Sequence, residues 1–320
     1  MIRARGLVQI FQTRQGRQKS EVRAVDGVDL DVAEGEVVSF LGPNGAGKTT
    51  TLRMLTTLLR PTEGEARVAG YDVATQPVDV RRSIGYVSQS GSTSGEARAG
   101  EEILDHGMLY GMSQADARRR GEELFAQLNL DGMWDRKPRS MSGGQRRRLD
   151  IAMGLVHEPR LVFLDEPTTG LDPQARANLW EVIAELRSRR GMTVFLTTHY
   201  LDEADVLSDR VIIIDHGRIV AADTPDNLKA QVAGDLVVLE LADAAKVGAA
   251  AQMLERAAGE APEVDGHTVQ ARVPRGGKVV PGLMRELTLA DIELDTVEVR
   301  RPTLDDVFLT LTGRSLREDV

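Results

Sequence analysis

Val37-Val38-Ser39-Phe40-Leu41-Gly42-Pro43-Asn44-Gly45-Ala46-Gly47-Lys48-Thr49 decides the fold. Its first five residues, four of them apolar, read as a buried strand. Gly42 to Thr49 then satisfies G-x-x-x-x-G-K-[ST], and Leu52, Leu55, Leu58 and Leu59 repeat at helical spacing up to Arg60-Pro61. Strand, glycine-rich turn and helix in that order form a phosphate cradle. The backbone from Gly42 through Pro43, Asn44, Gly45, Ala46 and Gly47 curls so that its N–H groups point inward. The following helix, with Thr50 in its first turn, adds the positive end of its dipole. In this motif Lys48 reaches the β and γ phosphates and the Thr49 hydroxyl ligates Mg²⁺. A chance glycine-rich turn seldom has a strand before it and a periodic helix behind it.

Working outward, Leu161–Leu164, Thr193–Leu196 and Val211–Ile214 are further short runs, apolar enough to be buried parallel strands, separated by helical segments. The fold class is therefore α/β. Ligands of open parallel sheets bind beyond the carboxyl ends of the strands. Asp165 and Glu166 follow the first of these runs and His199 follows the second. Asp165 is placed to hold Mg²⁺ opposite Thr49, and Glu166 to orient and deprotonate an attacking water. The bland alternatives are a solvated strand end for the acids and a surface histidine. Glu101–Leu130 reads as a helical insertion, Ser90–Gly100 as a flexible Ser/Gly loop, and the runs Arg118–Arg120 and Arg146–Arg148 as exposed helix faces. From Thr224-Pro225 the pattern changes. Leu236–Leu241, Thr268–Val273 and Thr296–Arg300 alternate like half-buried strands and Ala244–Ala258 is helical, so a small α+β domain is expected.

The chain has 320 residues with 41% hydrophobic and 28% charged, enough for one large domain or two ordinary ones. It has no cysteine, which excludes thiolate catalysis, Cys-ligated zinc and disulfides. Acidic residues outnumber basic ones 49 to 40, a formal charge of -9, so no global field favours nucleic acid. Met1–Ile10 lacks the apolar stretch of a signal peptide, and no apolar run approaches the roughly 20 residues of a membrane span. If the chain serves a membrane, another polypeptide is expected to cross it.

Met141-Ser142-Gly143-Gly144-Gln145, followed by Arg146–Arg148 and Leu149-Asp150-Ile151-Ala152, resembles the signature motif of ATP-binding cassette (ABC) ATPases. The Walker A loop Gly42–Thr49, the signature, Walker B through Glu166, the D-loop Gly170-Leu171-Asp172 and His199 occur in the family's order. The resemblance covers about Gly6 to Asp223. It implies a P-loop core over 1–223, a helical subdomain around 90–158, and an accessory, regulatory or dimerisation domain over 224–320. It further implies ATP with Mg²⁺ as cofactors and Glu166, His199, Gln89 and Lys48 as the catalytic set, with Gln89 also sensing the metal. Ser142, Gly143 and Gly144 start a helix and form a second anion site; in the family these residues, with Gln145 and Asp172, close on nucleotide bound by a second copy. Phe11 is the best candidate for stacking on adenine, although Gln12–Glu21 is longer than usual in that region.

Leu58-Leu59-Arg60-Pro61, Tyr200-Leu201-Asp202-Glu203-Ala204-Asp205 and the tail Leu304–Gly313 are most similar to the ATP-binding subunits of daunorubicin-resistance-type exporters. Such subunits pair with a separate integral-membrane permease, work as an ATP-dependent homodimer, and sit on the cytoplasmic face of the membrane. The resemblance thus implies an ATPase powering export of a drug, antibiotic or lipid-like compound, with no nucleic-acid partner. The competing class, a soluble ABC ATPase of DNA repair or translation, would need long heptads, a basic surface or two cassettes, and the chain has one P-loop.

Overall fold

The computed structural model describes residues 1–15, 18–232 and 234–313. The chain divides into two compact units that meet in sequence at Pro225 and Asp226. The first begins with two long antiparallel strands, β1 (Ile2–Gln15) and β2 (Gln18–Val32). Then come β3 (Val37–Leu41), α1 (Lys48–Leu55), β4 (Glu63–Val68), β5 (Tyr71–Asp72), α2 (Pro77–Ser83) and β6 (Ile84–Val87). Three helices, α3 (Ala99–Leu109), α4 (Gln114–Gln127) and α5 (Gly143–Leu155), precede β7 (Leu161–Asp165), α6 (Pro173–Arg190) and β8 (Thr193–Thr198). The unit closes with α7 (Leu201–Leu207), β9 (Arg210–Asp215) and β10 (Arg218–Asp223).

Two sheets result. The main one runs β10-β9-β3-β8-β7-β6 and is parallel apart from the β9–β10 hairpin; β3, β7 and β8 are buried at every position, as their largely apolar sequences require. The other is antiparallel, in the order β2-β1-β4-β5. Leu52, Met54 and Leu55 of α1 pack with Phe40, Phe163 and Phe195 of the main sheet and with Val28 and Leu30 of β2 in one apolar cluster. A second cluster joins Ile103, Leu124, Leu149 and Ile151 of the helical region to Val162, Leu164 and Leu196. Helix α5 approaches β6 so closely that a Cβ on Gly85 would stand 2.2 Å from the Gly154 carbonyl oxygen.

Several expectations are corrected. The Glu101–Leu130 helix is two helices: Gly111 takes φ 85°, and the Ser113 hydroxyl caps α4 by accepting from Asp116 N at 3.1 Å. Helix α1 ends at Leu55 because Thr57 adopts φ 64°, leaving Leu58 exposed. Ser90–Gly100 is not loose. Asp150 accepts from Ser92 N and Thr93 N, and Glu102 accepts from Ser94 N, Ser94 Oγ and Gly95 N. The arginine runs are not simply solvated, since Arg120 and Arg147 are buried. The antiparallel sheet of β1, β2, β4 and β5 has no counterpart in the sequence reading.

The second unit opens with α8 (Pro225–Ala230) and contains β11 (Asp235–Leu241), α9 (Val247–Ala258), β12 (Glu263–Asp265), β13 (Thr268–Val273), α10 (Gly276–Leu289), β14 (Leu294–Arg300) and α11 (Leu304–Thr312). Its antiparallel sheet runs β12-β13-β11-β14. Val237, Leu239, Val269 and Val273 alternate inward and meet Ala250 and Leu254 of α9 and Leu283 and Leu287 of α10. This unit is α+β. Among the described residues no helix is long and apolar enough to cross a membrane.

Candidate active site

The turn after β3 closes a cleft of about 330 Å³ lined by Pro43–Gly45, Gly47–Thr50, Ala24, Gln89 and Glu166. Gly47 stands at φ 106°, and a Cβ there would lie 2.6 Å from the Ala24 carbonyl oxygen, so only glycine fits. Ala24 is the extra residue of a β-bulge: Gln9 pairs with Val25 and Ile10 with Arg23. Lys48 is 4% exposed. Its Nζ donates to Gly42 O at 2.7 Å and Pro43 O at 3.1 Å and stands 3.4 Å from Glu166 Oε1. Burial pulls the Lys48 pKa down while the Glu166 charge partly restores it. The ammonium is thus held by its own loop's carbonyls.

Parallel β7 and β8 bring the remaining groups to the same end of the sheet. Asp165 Oδ1 accepts from Thr49 Oγ1 at 3.1 Å and from the buried Thr197 Oγ1 at 2.7 Å. Glu166 has φ 44°, a left-handed conformation unusual outside glycine, and its N–H is shared between Thr197 O and Thr197 Oγ1. Its Oε2 accepts from Gln89 Nε2 at 2.9 Å and Thr169 Oγ1 at 3.2 Å, and His199 Nδ1 lies 3.4 Å away, an ion-pair distance without hydrogen-bond alignment. Burial alone would raise the Glu166 carboxyl, but His199, Lys48 and Thr169 together hold it at about 2. Thr49 and Asp165 offer adjacent hard oxygen donors, the chemistry that Mg²⁺ takes from proteins when phosphates and water complete its shell. The donor set fits that ion.

Lys48, Thr49, Thr50, Gln89, Asp165, Glu166 and His199 are thus brought together with the Gly42–Gly47 loop. Ser142, Gly143, Gly144 and Asp172 are not. They line a second cleft of about 300 Å³ with Gly170, Leu171 and Arg148. There Ser142 caps α5: its Oγ accepts from Gln145 N at 3.2 Å while Gln145 Oε1 accepts from Ser142 N at 3.0 Å. Asp172 caps α6 through Ala175 N at 2.8 Å. Phe11 lies on a strand opposite Val22, and these two exposed side chains, 38% and 49% accessible, form an apolar step on the hairpin. Phe11 does not line the phosphate cleft.

Sequence reasoning missed Thr197, Thr169 and Ala24. A hydroxyl residue ending an otherwise apolar strand beside His199 was the available signal for Thr197. Nothing local marks Ala24, whose part depends on a register shift. It also missed Arg147, whose guanidinium lies under the Glu166 backbone: Nε donates to Pro167 O at 2.7 Å and Nη2 to Asp165 O at 3.0 Å.

The family model described as ABC transporter matches residues 25–169, and that described as the C-terminal domain of DrrA1-3-like ATP-binding proteins matches 224–312. The chain is 43% identical to the daunorubicin resistance ATP-binding protein DrrA3 of Streptomyces coeruleorubidus, covering 95% of this chain and 96% of the relative. It is also 43% identical to the daunorubicin/doxorubicin resistance ATP-binding protein DrrA of Streptomyces peucetius, over 98% and 92%. Among solved structures, the ATP-binding cassette MJ0796, dimeric in a post-hydrolysis state with ADP and Pi, superposes with a TM-score of 0.63 at 27% identity, covering 70% of this chain and 98% of its own. The α/β core with its phosphate loop is the ABC cassette, and the chain belongs to the ATP-hydrolysing subunits of ABC transporters, in the daunorubicin-resistance branch that carries the DrrA-type C-terminal domain.

Proposed function

We propose that this ATPase powers export of a drug, antibiotic or lipid-like compound through a separate membrane permease, from the cytoplasmic face. Its relatives' names as daunorubicin resistance proteins support the export class. Two copies are taken to act together, each closing its Ser142–Gly144 turn and Asp172 over the other's phosphate loop. The separation of the two clefts within one chain supports that pairing, as does the dimeric state of the MJ0796 cassette. In this reading the ATPase domain ends at about residue 223, and the C-terminal unit has an accessory part in docking, regulation or dimerisation.

The observation that carries the reading is the set of contacts on Glu166. Gln89, Thr169 and His199 converge on Oε2 while Lys48 stands at Oε1. When a triphosphate enters, Lys48 exchanges two carbonyls and a carboxylate for phosphate oxygens, a charge-assisted interaction. Glu166 loses its cationic neighbour and becomes a better proton acceptor for a water in line with the γ phosphate. His199 and Gln89 keep the carboxylate oriented. Thr49 Oγ1 and Asp165 Oδ1 would hold Mg²⁺, which when bound neutralises charge across the β and γ phosphates. Phe11 and Val22 offer adenine a flat apolar face.

Glu166→Gln tests this. The variant should bind ATP and sediment as a dimer at saturating nucleotide, with turnover down about 10²- to 10⁴-fold, the usual share of a general base. Wild-type turnover would remove Glu166 from the chemistry, and a monomer under those conditions would remove the pairing.

A further inference from the structure

Helix α5 starts at the signature turn, and two of its side chains one helical turn apart, Arg147 and Asp150, reach both sides of the catalytic carboxylate's surroundings. Arg147 is 8% exposed, and its guanidinium is spent entirely on backbone oxygens. Nε donates to Pro167 O at 2.7 Å, Nη2 to Asp165 O at 3.0 Å and Nη1 to Ser88 O at 2.5 Å. The first two bonds bracket Glu166, whose left-handed φ of 44° is a conformation that surrounding bonds must impose. The third holds the residue just before Gln89.

Asp150 is 5% exposed and holds the segment just after Gln89, accepting from Ser92 N at 2.7 Å and Thr93 N at 3.3 Å. Between the two anchors Ser88–Gly91 forms a closed turn, with Gly91 N donating to Ser88 O at 3.2 Å and Ser88 Oγ donating to Gly91 O at 2.9 Å. Gly91 sits at φ 80°, and a Cβ there would fall 2.8 Å from Asp150 Oδ2, so the turn is pressed against the carboxylate. Gln89 is carried on this turn, and its amide donates to Glu166 Oε2 at 2.9 Å.

We infer that Arg147 and Asp150 are positioning residues for hydrolysis. They tie the signature helix to the Gln89 turn and to the Glu166 backbone, so that the Gln89–Glu166 contact is set by where α5 sits. Arg147 binds four peptide oxygens, Glu166 O at 3.4 Å included, with a planar fork, a geometry that lysine's single ammonium does not reproduce. Neither residue lines the phosphate cleft, so nucleotide affinity should survive their loss while the reacting geometry does not. The inference rests on Glu166 being the base.

The test measures turnover, ATP affinity and melting temperature of the full chain for Arg147→Met, Arg147→Lys and Ser92→Pro, beside Glu166→Gln. Arg147→Met should lower kcat about 10- to 100-fold, the scale of a sub-ångström to ångström misplacement, with ATP affinity within about twofold. Arg147→Lys should recover part of that loss. Ser92→Pro removes an N–H to Asp150 from an exposed residue, and should lower kcat at an unchanged melting temperature. If Arg147→Met does not fold, the other two carry the test. Wild-type kcat in both of them, or kcat and affinity falling together in step with melting temperature, overturns the inference while Glu166→Gln remains inactive. Full turnover in Glu166→Gln overturns the base assignment and the inference with it.

Discussion

Glu166→Gln should destabilise the nucleotide-free protein as well as silence it, and the size follows from the cleft. Lys48 and Glu166 are 4% and 7% exposed and 3.4 Å apart, so removing one charge leaves the other buried without its partner. Breaking a buried pair in this way costs about 3–5 kcal/mol. Two features lower the figure here. Lys48 keeps its bonds to Gly42 O and Pro43 O, and neutralising Glu166 relieves its repulsion with the neighbouring Asp165. An expected loss of about 2–3 kcal/mol corresponds to about 4–12 °C of melting temperature at roughly 2–4 °C per kcal/mol for a domain of this size. ATP supplies phosphate oxygens to Lys48 in the carboxylate's place, so added ATP should raise the variant's melting point more than the wild type's. The assay is thermal unfolding in a chelator, without and then with saturating ATP. If the nucleotide-free variant melts at or above the wild type, the pair does not hold the empty cleft together and this reasoning fails.

Gly47→Ala should lower stability by at least about 2 kcal/mol and abolish nucleotide binding, because its Cβ meets Ala24 O at a φ that alanine resists; unfolding and ATP titration read both. Lys48→Ala should weaken ATP binding about tenfold to a hundredfold, the worth of a charged hydrogen bond, measured by equilibrium titration. His157 is held at about 4 by burial, beside a Tyr110 ring stacked 3.7 Å away, with Nε2 at 2.9 Å from Ile84 O. The unfolded chain therefore takes up this proton near pH 6.5 and the folded chain only near 4. Stability is complete above that window and falls by about 1.4 kcal/mol per unit as pH drops through it. His157→Gln should flatten that part of the curve in denaturant titrations at a series of pH values.

What the sequence exposes and what it hides divide along physical lines. β3, β7, β8 and β9 are legible because both faces of each are covered, so their sequences are largely apolar without alternation. The cradle is legible because its glycines are demanded by backbone geometry at a fixed spacing. Helix ends are harder: Leu58 and Leu59 continue the period of α1, yet Thr57 turns left-handed and the helix has already stopped at Leu55. Long-range satisfaction of backbone groups is invisible locally. Arg147 looks like one of three solvated arginines and Ser92 like part of a loose loop, until Pro167 O and Asp150 are found beside them. Strands β1 and β2 pair through three register shifts, which leave no periodic trace. Site membership was readable for residues at strand ends, and the convergence of Gln89 and His199 on one oxygen of Glu166 was not.

The bulge at Ala24 divides the hairpin of β1 and β2 into two parts with different obligations. On the near side, Ala24 O abuts Gly47 and the Gly217 turn, Gly217 N donates to Ala46 O, and Asp26 N donates to Gly217 O. Beyond it Ile10 pairs with Arg23, Ile10 N donating to Thr62 Oγ1 and Arg23 to Asp26; Phe11 and Val22 come next, and strand pairing continues to Gln15 and Gln18. Because the extra residue absorbs any mismatch in pairing, the outer arm can be lengthened or shortened in register-preserving steps of two without moving the cradle. The arm beyond the bulge is therefore where insertions into this ATPase are expected to disturb its phosphate loop least.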